Sequence, residues 1–195
     1  MDNETINAYN RDAESISELH LTLTPHRIYQ LIGQYFIKNA TTIDIGCGIG
    51  RDSNWLKSQN FSVVGVDASV GMLAKARFLY PDLMFQQDYL PTLASFGSSQ
   101  FQNILCSAVL MHLHGNVIEH ACNRLLQLLE DDGRLIISIR GTREVNKREN
   151  GKFYEDIDMN FLIQYFKQRK CQILVAESDY EKSRALAWHN LVIKK

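Results

Sequence analysis

The sequence predicts an α/β fold built on a doubly wound, mostly parallel sheet of seven strands that ends in a C-terminal antiparallel hairpin. From residue 41 onward, short runs rich in β-branched and apolar residues alternate with helical runs. This alternation is typical of a parallel sheet covered by helices on both faces. The last two β-like runs, Gln172–Ala176 and Leu186–Ile193, are roughly ten residues apart, which is too short for a helical crossover and favours an antiparallel pair.

Five further strands and several helices complete the predicted order. The strands are Thr42–Ile45, Ser62–Val66, Leu83–Gln87, Asn103–Ser107 and Arg134–Ile139. One helix begins at Pro25, another is capped by Ser69, and a third presents one apolar face between Val117 and Leu129. A polar loop that reaches to about residue 158 and a helix over Phe161–Phe166 precede the hairpin.

Composition and charge narrow the class of protein. The chain has 195 residues, of which 45% are hydrophobic, and this predicts one compact domain with a sizeable core. A formal net charge of −1 at pH 7 argues against nucleic acid or an anionic membrane as a partner. The apolar stretches are too short for a signal peptide or a membrane span, so we expect a cytoplasmic protein. The four cysteines are widely separated and form no Cys-x-x-Cys pair, so no metal site is expected.

A glycine-rich loop follows the first predicted strand. It has the sequence Asp44-Ile-Gly-Cys-Gly-Ile-Gly50, and Asp67 comes at the end of the second strand. Glycines let the backbone turn tightly and let a ligand approach closely, although a purely structural turn uses glycine too. An acidic residue at the position of Asp67 can accept hydrogen bonds from two ribose hydroxyls, which indicates a nucleoside ligand. The dinucleotide fingerprint needs a third glycine where this chain has Arg51, so a nicotinamide-dependent dehydrogenase is the weaker alternative.

The run from Asp44 to Gly50 resembles the first motif of class I S-adenosylmethionine (SAM)-dependent methyltransferases, especially the small single-domain ones, and the likeness continues in order to about residue 140. The further matching segments are Val66–Ser69 with Met72–Leu73 and Ala76–Arg77, Gln87–Pro91, Ile104–Val109 and Leu128–Leu135. Two departures are visible. Asp131-Asp132 replaces the usual proline and glycine before the fifth strand, and Asn60 stands where glycine commonly ends the first helix. Asparagine tolerates the left-handed backbone that a helix end needs.

This resemblance implies a Rossmann-like fold that binds SAM, releases S-adenosylhomocysteine and needs no metal. It divides the single domain, residues 1–195, into an N-terminal helical cap (1–40), a cofactor-binding core (41–140) and a substrate-side loop, helix and terminal hairpin (141–195). In the core, the resemblance places Gly46, Cys47 and Gly48 against the methionine part and the ribose. It gives Asp44 the task of shaping the loop and Asp67 that of holding the ribose hydroxyls.

The adenine and amino-acid ends of the cofactor are assigned in the same way. The resemblance implies that Ala68 and Met72 line the adenine, that Asp88 accepts from its amino group, and that Tyr89 covers its edge. The backbone of Cys106 is expected at the amino-acid end. For Met72 and Cys106 a plain core position is the competing interpretation, because both lie at core spacing on predicted elements.

Other candidates lie around the expected site. Tyr9 is expected to form a lid over the methionine tail. Arg51 and Asp52 open the first helix, where they either contact the cofactor or, for Asp52, simply complement the helix dipole. His112 follows the fourth strand, where a general base could act, although a histidine there also serves as a helix cap. Arg140, at the end of the fifth strand, either binds substrate or pairs with a carboxylate.

Arg184, Trp188 and the loop over residues 141–158 are further candidates for the substrate wall, with core packing as the alternative for Trp188. The sequence therefore predicts transfer of a methyl group from SAM by direct displacement, which depends mainly on alignment and exclusion of water. A small-molecule acceptor is favoured, because the chain has almost no room beyond the cofactor fold for a domain that reads a macromolecule. The alternatives are a protein or RNA methyltransferase and a non-catalytic SAM-binding module.

Overall fold

The computed structural model describes residues 2–142, 148–181 and 186–195. The strands, in chain order, are β1 (Thr41–Ile45), β2 (Ser62–Asp67), β3 (Met84–Gln87), β4 (Phe101–Ser107), β5 (Leu129–Arg140), β6 (Arg148–Glu149), β7 (Lys152–Phe153), β8 (Gln172–Glu181) and β9 (Leu186–Lys194). The helices are α1 (Asn3–Arg11), α2 (Ala13–Thr22), α3 (His26–Tyr35), α4 (Arg51–Ser58), α5 (Val70–Leu79), α6 (Gly115–Leu128) and α7 (Met159–Gln168), with a single 3-10 turn at Leu110–His112.

Seven of the strands form one sheet in the order β3-β2-β1-β4-β5-β9-β8. The pairs from β3 to β5 are all parallel, and β9 runs antiparallel to both of its neighbours, β5 and β8. The strand order reverses between β1 and β4, which is where open α/β sheets bind their ligands. The predicted Rossmann-like sheet with a terminal antiparallel hairpin is confirmed.

Alternate residues of the central strands bury opposite faces of the sheet. On β4, Ile104 and Cys106 belong to the large cluster that includes residues of α6 and α7, whereas Leu105 packs with α3 and α4. Because successive strand side chains point to opposite faces, both faces of this strand must be covered by helices. The near-continuous apolar run around β4 is thus explained by burial on both sides.

The N-terminal segment contains two helices, α1 and α2, before the predicted α3. Asp2 caps α1 by accepting from the backbone N–H of Thr5 at 2.8 Å. At the other end of α1, the Asn10 Oδ1 atom accepts from the Ser69 hydroxyl at 2.7 Å and the Gly71 N–H at 3.0 Å. These bonds fasten α1 across the start of α5, beside the carboxyl ends of β1 and β2.

The polar segment expected as a loop after β5 contains the short hairpin β6–β7. The hairpin is attached to α1, because the Phe153 N–H donates to the Thr5 hydroxyl at 2.9 Å. Asn60 has a φ of 65°, so its predicted left-handed backbone is confirmed. Within the described ranges, the structure has no helix with the length and apolar character that crossing a membrane requires.

Candidate functional site

The glycine loop after β1 is held by backbone hydrogen bonds to β2. The N–H groups of Gly46 and Cys47 both donate to the Val66 carbonyl, at 2.7 and 3.0 Å. Gly46 has a φ of +72°, and a Cβ there would collide with the side chain of Val109. Only glycine therefore fits this position, and the loop lies close against the end of β4.

Asp44 lies behind this loop with 2% of its surface exposed. It accepts a hydrogen bond from the Ser53 hydroxyl on α4 at 2.6 Å. Burial, together with the nearby Asp52 carboxylate, raises the pKa of Asp44 to about 7. Asp44 thus ties β1 to α4 and supports the loop from below.

Asp67 ends β2 beside the same loop. Its Oδ2 atom accepts from the Gly48 N–H and its Oδ1 atom from the Ser69 N–H, both at 2.8 Å. Burial raises the pKa of the Asp67 carboxyl, while the hydrogen bonds from backbone N–H groups act in the opposite direction. A carboxylate has about four acceptor sites, so Asp67 can hold the loop and still accept from a ligand.

A cavity of about 870 Å³ opens along the carboxyl ends of the parallel strands. The predicted cofactor residues that line it are Tyr9, Gly46, Cys47, Gly48, Arg51, Asp52, Asp67, Ala68, Met72, Asp88 and Tyr89. His112, Arg140 and Trp188 line it as well. Arg184 lies outside the described residues.

Asp44 and Cys106 are not among the lining residues of this cavity. Cys106 is fully buried, and the lining residues at this end of β4 are the three that follow it, Ser107–Val109. His114 also lies away from the cavity, with its ring 4.3 Å from that of Phe153. The sequence pattern therefore predicted the position at which the chain after β4 meets the cavity to within one or two residues.

The far end of the cofactor side is shaped by Asp88 and Met72. The two carboxylate oxygens of Asp88 accept from backbone N–H groups of Tyr89 at 2.7 Å and Ser95 at 2.8 Å. Met72 is 1% exposed and packs with Ala13 on α2. Met72 is therefore both a core residue and a cavity residue.

Arg51 and Asp52 connect α4 to the N-terminal helices. The Arg51 guanidinium donates to both carboxylate oxygens of Asp52, at 2.8 and 3.0 Å, and to the Leu23 carbonyl at 3.3 Å. Asp52 also accepts from the Tyr29 hydroxyl at 2.8 Å. Both residues line the cavity, and their polar groups hold α2 and α3 in place.

His112 is buried next to Tyr9. Its Nδ1 atom lies 2.7 Å from the Phe153 carbonyl and its Nε2 atom 3.0 Å from the Tyr9 hydroxyl. Since a carbonyl only accepts, the proton belongs on Nδ1, and Nε2 accepts from Tyr9. Burial lowers the pKa of His112 to about 4, so the imidazole is neutral at pH 7.

Arg140 extends from β5 between a carboxylate and an aromatic ring. It forms an ion pair with Glu149, and its guanidinium carbon lies 4.3 Å from the centre of the Tyr154 ring. The Tyr154 ring in turn lies 4.8 Å from that of His112. Of the two alternatives raised by the sequence, pairing with a carboxylate is what the structure shows.

Several cavity residues were missed in the sequence. Ser138 and Asn190 are partners across β5 and β9, and both are buried. Their signal was present, since each is a polar residue within an otherwise apolar strand. Glu149, Lys152 and Tyr154 also line the cavity, and they lie in the 141–158 loop that the sequence predicts as a candidate for the substrate wall. Nothing in the local sequence marks these three individually, because the contacts of β6–β7 with α1 decide their position.

Residues 17–184 match the family described as methyltransferase domain. The chain belongs to this family. Over 124 residues it is 29% identical to a protein of Geobacillus sp. (strain WCH70) named as a candidate methyltransferase, covering 61% of this chain. The chain spans about half (50%) of the length of that curated relative.

Solved structures share the fold at lower identity. A SAM-dependent methyltransferase of Methanosarcina mazei superposes with a TM-score of 0.72 at 17% identity, over 89% of this chain and 98% of the other. The 1,6-didemethyltoxoflavin-N1-methyltransferase of Burkholderia thailandensis, solved with 1,6-didemethyltoxoflavin and S-adenosylhomocysteine, has a TM-score of 0.64 at 19% identity, over 95% and 77%. Among the described residues, no group of three His, Cys, Asp or Glu side chains could hold a metal ion.

Proposed function

We propose that this protein binds SAM and transfers its methyl group to a small molecule by direct displacement. The observation that carries the proposal is Asp67, whose carboxylate lies between the N–H groups of Gly48 and Ser69 at the edge of the cavity. A carboxylate held in this way is preorganised to accept the two hydroxyls of a ribose. The missing Cβ at Gly46 leaves the loop close to β4 and open toward the ligand.

The residues present fit SAM. Asp67 would hold the ribose, Ala68, Met72 and Tyr89 would surround the adenine, and Asp88 would face its amino group. Tyr9 and the glycine loop would enclose the methionine part. When bound, SAM supplies an electrophilic methyl group on a sulfonium.

The size and enclosure of the cavity support a small acceptor. Its volume of about 870 Å³ lies near the upper end of the range of roughly 300–1,000 Å³ for small-molecule pockets, which suits a cofactor with a second small ligand. Residues of α1, α2 and β7 line it in addition to the sheet, so the N-terminal segment covers the site. The Burkholderia thailandensis neighbour, which carries a small heterocycle, agrees with this proposal.

In the proposed methyl transfer, the protein aligns the reacting groups more than it transfers protons. The Nε2 lone pair that a general base would use accepts from Tyr9, and a pKa of about 4 makes His112 a weak base at neutral pH. We therefore propose that His112 positions the Tyr9 hydroxyl, and that Tyr9 faces the reacting groups. Displacement at a methyl group needs an aligned nucleophile and exclusion of water, which this covered cavity can provide.

Calorimetry with SAM, S-adenosylhomocysteine and NAD tests the proposal. We expect binding of both SAM and its product and none of NAD. Binding of NAD alone would favour a dehydrogenase instead. Binding of SAM without turnover of any acceptor in a cell extract supplied with methyl-labelled SAM would favour a non-catalytic module.

Two further expectations accompany this function. A protein or RNA methyltransferase is the alternative, and titration with nucleic acid at increasing salt would show strong, salt-dependent affinity in the RNA case. We expect a cytoplasmic location, because all four cysteines are free thiols, as is usual in a reducing compartment. Fractionation of cells that express the tagged protein would check this.

A further inference from the structure

Among the described residues, the end of the cavity formed by β5, β9 and β6 carries two buried oxygen atoms without a hydrogen-bond partner. They are Oε1 of Glu149 and Oδ1 of Asn190, and both residues line the cavity. Nearly all buried polar atoms in proteins have a partner, so each exception needs an explanation. A ligand that brings hydrogen-bond donors to this end would supply one.

The atoms next to these two oxygens already have partners, so this end of the cavity favours a ligand that donates hydrogen bonds. The other carboxylate oxygen of Glu149 pairs with Arg140, and the Asn190 amide nitrogen donates to Glu177 at 3.0 Å. One of the two Asn190 amide N–H groups is thus already used, and the unpartnered side-chain atom at each of the two residues is an acceptor oxygen. Asp179, on the neighbouring strand, adds another carboxylate to the same cavity.

The two residues lie at the same end of the cavity. Asn190 lies directly opposite Ser138 in the sheet, and Arg140, two residues further along β5, points to the same face. Diagonal neighbours of this kind are about 7–8 Å apart. Glu149 forms its ion pair with the guanidinium of this Arg140, so both acceptor residues adjoin the same part of β5.

The cations around the cavity are already engaged. Among the described residues that line it, Arg27 pairs with Glu177, Arg51 with Asp52, and Arg140 with Glu149. The Lys152 ammonium lies 4.8 Å from the centre of the Tyr9 ring. An anionic acceptor would have to compete with an existing carboxylate partner at each of these three arginines.

We propose that the acceptor end of the cavity recognises a nitrogenous small molecule, an amine, amidine or N–H heterocycle, through N–H donors to Glu149 Oε1 and Asn190 Oδ1. This rests on the proposed function and assigns the chemical class of the methyl acceptor. Trp188, which lines the same end, offers an aromatic surface for a planar molecule.

The test uses two probes of nearly the same shape in the complex with S-adenosylhomocysteine. Benzamidine offers only N–H donors, and benzoate offers only acceptors. Titration followed by ligand-observed NMR should show at least tenfold tighter binding of benzamidine. Equal binding, or tighter binding of benzoate, would overturn the proposal.

A variant reverses the polarity of the site. Glu149→Gln keeps the size of the side chain, replaces the free acceptor by a donor, and releases the charge of Arg140. It should weaken benzamidine at least fivefold and bring benzoate binding closer to it. Glu119→Gln, on the exposed surface of α6 and outside the cavity, is the matched control and should change neither.

The outcomes separate this proposal from the function on which it rests. Loss of binding of S-adenosylhomocysteine by the wild type would refute the function. Normal binding of S-adenosylhomocysteine without any preference for benzamidine would refute only the acceptor class. If Glu149→Gln does not fold, Asn190→Ser provides the second variant, and unchanged benzamidine affinity in it would also contradict the proposal.

Discussion

The two ends of the cavity are built in different ways. At the cofactor end, the glycine loop and Asp67 are connected by backbone hydrogen bonds between β1, β2 and the start of α5. At the acceptor end, Arg140, Glu149 and Asn190 belong to three separate elements, and their side chains bond to residues distant in the chain, Arg140 to Glu149 and Asn190 to Glu177. The geometry of the cofactor end therefore follows from the local conformation of the chain, whereas the geometry of the acceptor end depends on packing between distant segments.

This difference predicts how each end responds to change. At the cofactor end, which is held by backbone hydrogen bonds, substitutions should weaken binding at only a few positions. These are the glycines and the carboxylate that fixes the loop. A side-chain-built site with buried, mutually dependent groups should show coupling between residues that are far apart in the chain. Substitutions that change ligand binding at one end of the cavity and leave binding at the other end unchanged therefore test this difference between the two ends.

The largest effect is expected for Asp67→Ala. Loss of two hydrogen bonds to the ribose should lower the affinity for SAM about 100-fold, equivalent to roughly 2.7 kcal/mol. Calorimetry measures this, with circular dichroism to show that the fold persists. Asp82→Ala, which removes an exposed carboxylate outside the cavity, is the control and should bind SAM like the wild type.

The pH dependence of stability should report on His112. Its pKa is lowered from 6.5 to about 4 by burial, so the unfolded chain binds the proton more readily between these values. The contribution of His112 to stability is therefore complete above about pH 6.5 and is lost as the pH falls toward 4. Between pH 7.5 and 5 the loss is about 2 kcal/mol by linkage.

Urea unfolding of the wild type and of His112→Gln at both pH values isolates this contribution. Glutamine can accept from Tyr9 and donate to the Phe153 carbonyl, but it does not titrate. The difference between the two proteins is needed because Asp44, whose pKa is raised to about 7, loses its contribution as the pH rises over the same range. Parallel profiles of wild type and variant would show that His112 is not buried as neutral imidazole.

Tyr9→Phe should cost about 1–2 kcal/mol of unfolding free energy, because it leaves the Nε2 atom of buried His112 without its donor. A double-mutant cycle with His112→Leu, which cannot accept a hydrogen bond from Tyr9, should give a coupling energy of about 1 kcal/mol between residues 103 positions apart. Tyr180→Phe, at an exposed tyrosine, serves as the control. Additive effects of the two changes would contradict the proposed positioning of Tyr9 by His112.

The smallest effect concerns a purely local feature outside the cavity, the turn that follows α4. Asn60 has a left-handed backbone after α4, with a φ of 65°. Asn60→Ala should destabilise the protein by about 1 kcal/mol, whereas Asn60→Gly should not. Thermal unfolding checks this, and neither variant should alter the affinity for benzamidine. An alanine variant as stable as the wild type would show that the backbone at this position is not strained.

The succession of strands and helices along the chain, the glycine loop and the two acidic residues at strand ends could be predicted because each depends on neighbours close in the chain. Strand termini at the same edge of a parallel sheet bring Asp67, Asp88 and His112 to one cavity without further information. The sequence leaves alternatives open where a side chain has several possible partners. For Arg51 and Asp52 it allows contact with the cofactor or, for Asp52, a role at the helix dipole, and the structure shows their polar groups bonded to each other and to the N-terminal helices.

The sequence by itself determined the fold family, the position of the glycine loop and the identity of the carboxylate beside it. The spacing of apolar residues, the glycine content and the order of the motifs can each be read from residues that are close in the chain. Only the tertiary structure decided that β9 inserts between β5 and β8, which brings Asn190 next to Ser138. It also decided that β6–β7 attaches to α1, which places the Phe153 carbonyl against His112. Such placements depend on packing between segments more than 40 residues apart, which no local pattern records.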